Sequence, residues 1–228
     1  MKIQKVLTLV GACFLSVGCA TQMDAPKIND GLDISAANYQ GNAEDLYKTG
    51  SQRAKAHDYK SAAKYYKASA VQGNAKAQYA LGYLYRKGLG VPRNYNLAAA
   101  WFERSASQGN SDAEFNLGML YLLGQGTTQN YTTALGWFNK AADNGNPYAE
   151  NELGYMYAAG KGVPQNYPAS LQWYQRAANH DLASAQYNLG LMYAHGLGTP
   201  VDKTTANAWF AKAAAKGFTP AKHNNEQG

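Results

Sequence analysis

The chain has 228 residues, 46% hydrophobic and 16% charged, with four histidines, two cysteines and a formal net charge of +6. A basic surplus this small and scattered makes neither a nucleic-acid surface nor a polybasic membrane patch. His57, His180, His195 and His223 stand far apart with no i, i+4 pair, so no convergent metal-site spacing is present and no metal is expected.

Lys2 and Lys5 open a short basic region, and Val6 to Val17 is almost wholly apolar. The run is too short to span a bilayer and reads as an export signal over residues 1–18. It ends in Leu15-Ser16-Val17-Gly18-Cys19, which resembles a lipoprotein processing site, so Cys19 is the expected lipidated first residue of the mature chain. Val10-Gly11-Ala12-Cys13 also fits the processing pattern, but cleavage there leaves Val6 to Ala12 as a barely sufficient apolar core. Loss of residues 1–18 removes Lys2 and Lys5 and no acid, taking the charge from +6 to +4. With Cys19 carrying lipid, no intrachain disulfide can form. Ala20, in place of an acidic retention residue, resembles outer-membrane sorting. The expectation is a lipid-anchored protein of a Gram-negative envelope, probing the periplasm from the outer membrane.

Residues 19–40 follow as the lipidated N-terminus and a tether. They have few large apolar residues, no periodicity and several turn formers, so a flexible coil reaching on the order of 25 Å is expected. Residues 41–74 form a divergent first unit. Ala62, Tyr65, Tyr66, Ala70 and Gly73 align with Ala98, Trp101, Phe102, Ala106 and Gly109 of the next unit. The front half is out of register, with 12 positions from Gly50 to Ala62 against 16 from Gly82 to Ala98, and Ala56-His57-Asp58-Tyr59 replaces a glycine hinge. A repeat array needs an atypical end unit with a polar face, and Gln52, Arg53 and Lys55 fit that role.

Four regular units occupy 75–110, 111–146, 147–182 and 183–218. Leu81-Gly82 returns at Leu117-Gly118, Leu153-Gly154 and Leu189-Gly190, and Trp101 returns at Trp137, Trp173 and Trp209, each step being 36 residues. A fixed period of this size means stacked units. Ala77, Leu81 and Tyr85 share one face of a helix over about 75–87, and Leu97, Ala98, Trp101, Phe102, Ser105 and Ala106 fall at helical spacing on a second. The stripe of the second turns onto the first helix and the next unit, so each interior unit is expected to bury its Trp against a neighbour. Gly88, Gly90 and Pro92 stop one and aim the other. Asn94, Asn130, Asn166, Asp202 and, one period earlier, Asp58 stand at N-cap positions. Gly82 inside a helix costs about 0.8–1 kcal/mol against alanine, which close approach to the second helix at Ala98 would offset. Gly109, Gly145 and Gly217 suit left-handed C-caps. Asp181 breaks that series: either it takes positive φ itself or the chain closes differently there.

The composite A-x-Y-x-L-G-x-x-Y-x-x-G-x-G-V-x-x-N-Y-x-x-A-x-x-W-F-x-x-A-A-x-x-G-N over residues 75–218 resembles the Sel1-like repeat family, a relative of the tetratricopeptide repeat. The resemblance implies an all-α, α/α solenoid used for protein–protein contact, with no cofactor and no chemistry. Within it, residues 41–74 look like a plain tetratricopeptide repeat. Thr219-Pro220-Ala221 begins another helix in phase, but 219–228 hold no further Leu-Gly, so only a short C-terminal cap is expected.

Catalytic groupings are not legible. Gly154 to Gly160-Lys161 fails as a phosphate loop, with five intervening residues and Gly162 in place of Ser or Thr. Glu150 and Glu152, two apart, point to different sides of a helix. Tyr79, Phe115, Tyr187, Tyr85, Tyr121, Tyr157 and Tyr193 read as core by phase. In the tetratricopeptide relative, the first helices line the concave wall. By resemblance the exposed phases here are Lys76, Tyr83, Arg86 and Lys87, then Asp112, Met119, Leu122 and Leu123, then Tyr148, Tyr155 and Ala158, then Ser184, Leu191 and His195. A protein or peptide with apolar anchors would suit that wall. The alternative is a periplasmic cell-wall enzyme or a factor binding peptidoglycan or a β-lactam.

Overall fold

The computed structural model describes residues 28–36 and 39–218, which contain ten α-helices and no strand. The signal over 1–18, Cys13, Cys19, the first part of the tether and the stub at 219–228 lie outside the described residues. The helices are α1 (Ala43–Lys55), α2 (Tyr59–Ala70), α3 (Ala75–Lys87), α4 (Tyr95–Ala106), α5 (Ser111–Leu123), α6 (Tyr131–Asp143), α7 (Pro147–Ala159), α8 (Tyr167–Asn179), α9 (Ala183–His195) and α10 (Lys203–Ala215). Each packs chiefly against its neighbours in the chain, giving five helix pairs in a row.

Local chemistry sets the boundaries. Asn94 Oδ1 accepts from Leu97 N at 3.0 Å, and Asn130, Asn166 and Asp202 repeat that cap. Asn74, Asn110 and Asn146 cap the first helices in the same way. The N-cap of α9 is Leu182, whose side chain makes no cap bond. Just before it Asp181 takes φ +62, where Gly145 has φ +79, so the acidic residue itself adopts the left-handed conformation.

The glycine inside each first helix answers to a ring. A Cβ on Gly82 would come within 2.8 Å of Phe102, whereas the carbonyl oxygen of Ala98 would be 3.2 Å away. The expected small partner, Ala98, is therefore the lesser constraint. Contact between units depends on the second hinge glycine. Gly90 has φ +70, and a Cβ there would lie 2.2 Å from the carbonyl carbon of Tyr59 in the preceding unit. Gly126, Gly162 and Gly198 press in the same way on Tyr95, Tyr131 and Tyr167.

Two expectations change. Trp101 is fully buried, but Trp137, Trp173 and Trp209 are half-buried, each with a cation over its ring: Lys140 at 4.4 Å, Arg176 at 4.5 Å and Lys212 at 3.9 Å. Phe102 and Phe138, one residue on, are wholly enclosed. The tether is the second. Its described part is docked: Ile28 and Leu32 pack on the first core cluster, the buried Asp30 carboxylate pairs with Lys67, and Lys67 Nζ also donates to Leu32 O at 2.7 Å. Tyr85 Oη donates to Asp30 O at 3.4 Å. Apolar burial with a shielded ion pair holds this stretch against the helices, where composition alone read it as coil.

Candidate interaction surface

The first helices stand side by side along the array. Asn146 Nδ2, at the start of α7, donates to Asp112 Oδ1 of α5 at 3.0 Å, and Asn188 of α9 donates to Asn151 Oδ1 of α7 at 3.1 Å. The Phe115 and Tyr148 rings meet at 5.9 Å. These contacts join α5, α7 and α9 side by side into one wall.

On that wall Lys76, Lys87, Asp112, Leu123, Tyr148, Tyr155 and His195 are exposed, while Tyr83, Arg86, Met119, Ala158, Ser184 and Leu191 are half-buried. Tyr148 retains 55% of its surface and Leu123 52%. Leu122 is the exception. At 8% exposure it belongs to the second core cluster with Phe138 and Leu153, and its place against the following pair removes it from any contact surface. Met119 also packs partly on that cluster.

The structure brings together only part of the expected set. Arg86 and Lys87 hold their charges 5.5 and 5.9 Å from the Tyr83 ring centroid. Tyr155 stands apart, its Oη accepting from Lys161 Nζ at 2.7 Å, a bond that raises the lysine pKa above its ordinary value. Beside Tyr83 a groove of about 320 Å³ opens between α1, α2 and α3, walled by Tyr59, Tyr66, Tyr79, Ala80 and Leu89. Burial pushes the Tyr66 and Tyr79 phenols up, so both are neutral donors at physiological pH. Sequence reading missed Tyr59 and Tyr66 here. The signal available was phase: Tyr59 is the first residue of its helix, as Tyr95, Tyr131 and Tyr167 are of theirs, and Tyr66 aligns with Phe102.

Farther along, Glu152 is largely buried next to Asn151, and burial raises its carboxyl above the usual range despite that hydrogen bond. No group of three or more His, Cys, Asp or Glu side chains gathers among the described residues. No described helix is long and apolar enough to cross a membrane.

The Sel1 repeat pattern matches residues 35–74, 75–110, 111–146, 147–182 and 183–218, so the chain belongs to the Sel1 repeat family. Its first match includes the unit with the shortened hinge. A Sel1 repeat protein from Oxalobacter formigenes is 38% identical, the match covering 79% of this chain and 72% of that one at a TM-score of 0.74. A protective antigen of uropathogenic Escherichia coli strains is 33% identical over 80% of this chain with a TM-score of 0.75, but this chain spans only 40% of it. An immunity protein from Pseudomonas aeruginosa, 23% identical, shares the fold at a TM-score of 0.54 over 80% of this chain and 68% of that one. No curated protein matches the chain.

Proposed function

We propose that this Sel1 repeat scaffold is a lipid-anchored envelope adaptor that holds a protein partner by a peptide segment laid along its first helices. The observation that carries this reading is the tyrosine-walled groove beside Tyr83, with Lys76, Arg86 and Lys87 on the same helix. An apolar side chain of the peptide fills the groove, and neighbouring acidic groups meet the three cations. Tyr148 and Leu123 offer further apolar contact along the wall. An extended segment suits such a surface because successive anchors can meet successive units. The anchor is Cys19, by the processing pattern around it.

The test is photocrosslinking in cells from a reactive residue at Lys87, comparing the wild type with Ala80→Arg. Ala80 is half-buried on the groove wall, and arginine is a good helix former. Loss of the captured partner with unchanged melting is expected. Capture that persists with the groove filled rejects this site, and labelling of Cys19→Ser by lipid rejects the anchor.

A further inference from the structure

The groove bounded by α8, α9 and α10 departs from a pattern kept by the three regular units before it. In the four regular units the fourth residue of the first helix, in α3, α5, α7 and α9, is a buried polar side chain: Gln78, Glu114, Glu150 or Gln186. Three of them are met from the second helix of their own unit or from the turn just after it. Gln78 Oε1 accepts from Gln108 at 2.8 Å, Glu114 Oε2 from Asn144 at 2.9 Å, and Glu150 Oε1 from Arg176 Nε at 3.0 Å. In the last unit Lys216 stands where Gln108 and Asn144 stand, and its Nζ turns to Asp181 at 3.3 Å. Gln186 Nε2 faces two acceptors, Ala178 O at 3.5 Å and Asp181 Oδ1 at 3.3 Å, which fixes the orientation of the amide. Its Oε1 is left buried without a hydrogen-bond partner.

Lys212 takes the place of Arg176 but has no carboxylate at position 186 to meet. A cavity of about 500 Å³ remains, lined by Asn179, Asp181, Gln186, Trp209, Lys212 and Lys216. Two ammonium groups face one carboxylate there. An occupant must bring negative charge for the lysines and a hydrogen-bond donor for Gln186. Sulfate brings acceptors only, and hydrogen phosphate has a hydroxyl donor but nothing to set against the apolar part of the lining. A carboxylate beside an amide N–H brings both, and Ala178, Ala215 and the Trp209 indole give its side chain an apolar wall.

We propose that this groove binds the carboxylate of an N-acylated amino acid, as found at a peptide chain terminus. The site is separate from the first-helix face and stands without it.

The test is a titration of the full chain, following the indole N–H resonance of Trp209, assigned with Trp209→Phe. The probes are N-acetyl-alanyl-alanine, its C-terminal amide, N-acetylalanine and inorganic phosphate. The acid dipeptide is expected to give a saturable shift, with the amide and phosphate at least tenfold weaker. Lys212→Gln weakens binding. Gln186→Glu creates the pairing seen between Glu150 and Arg176 and abolishes binding with the fold intact by melting. N-acetylalanine as tight as the dipeptide assigns free acylated amino acids as the source, whereas weaker binding assigns chain termini. Equal affinity for acid and amide, or full binding by the Gln186→Glu variant, overturns the proposal.

Discussion

A Cβ on Gly118 would lie 2.5 Å from Cε1 of Phe138, closer than any real contact. The ring is wholly buried and has nowhere to go. Alanine improves helix propensity by about 1 kcal/mol, but overpacking a filled core costs about 1–3 kcal/mol and sometimes more. Gly118→Ala is therefore expected to lower stability in denaturant melts. Combining it with Phe138→Leu should recover part of the loss, since the clash belongs to the pair. A neutral or stabilising Gly118→Ala would mean that α5 and α6 part without cost.

The helix starts and the period were readable because each rests on short-range chemistry repeated every unit, as at Asn94 and Leu97. What blocks a Cβ at Gly82 was not readable, because a ring twenty positions away reaches it only after the two helices have packed. The groove beside Tyr83 was hidden for a related reason. Tyr83 was visible by phase, but Tyr59 and Tyr66 belong to the preceding unit and join it only once the two units have packed. Leu122 shared the phase of half-exposed Arg86, and phase alone cannot tell that an apolar side chain there turns into the core.

Within each regular unit the phenylalanine or tyrosine after the tryptophan is the better enclosed of the two in the later units. Phe138→Ala is expected to cost about 3–5 kcal/mol, the range for a buried aromatic. Trp137→Ala should cost less, about 1.5–3 kcal/mol, because part of its ring faces water beneath Lys140. Trp101→Ala, where the indole is fully covered, should approach the Phe138 value. Chemical denaturation of the three variants gives the order directly, and equal losses at Trp101 and Trp137 would contradict the burial difference.

Glu152 gives the array a pH dependence of definite sign. Burial raises its carboxyl above 4.5, so the folded chain holds this proton in a range where the unfolded chain has released it. Stability from this group is fully present below the unfolded value and is lost as pH rises through the folded one. Glu152→Gln should remove that slope and leave the protein at least as stable as the wild type at neutral pH. Melting temperatures from pH 4 to 8 decide the matter: a Gln variant that parallels the wild type throughout would place the titration elsewhere.

Lys67 holds the segment before α1 through the buried Asp30 carboxylate and the Leu32 carbonyl. Removing one partner of a shielded pair leaves the other charge stranded, typically at about 3–5 kcal/mol. Here the protein has a less costly way out. Residues 28–36 can leave the surface and return Asp30 to water, so the loss is capped by the free energy of docking this segment. Lys67→Ala is therefore expected to speed amide exchange and proteolysis across 28–36 many-fold while the helix pairs melt nearly as before. Tyr85, fully buried where the later Tyr121, Tyr157 and Tyr193 are half-buried, should become solvent-accessible in the same variant. Unchanged exchange at 28–36 would show that Ile28 and Leu32 hold the segment without the ion pair, and Ile28→Ser would then be the substitution that frees it.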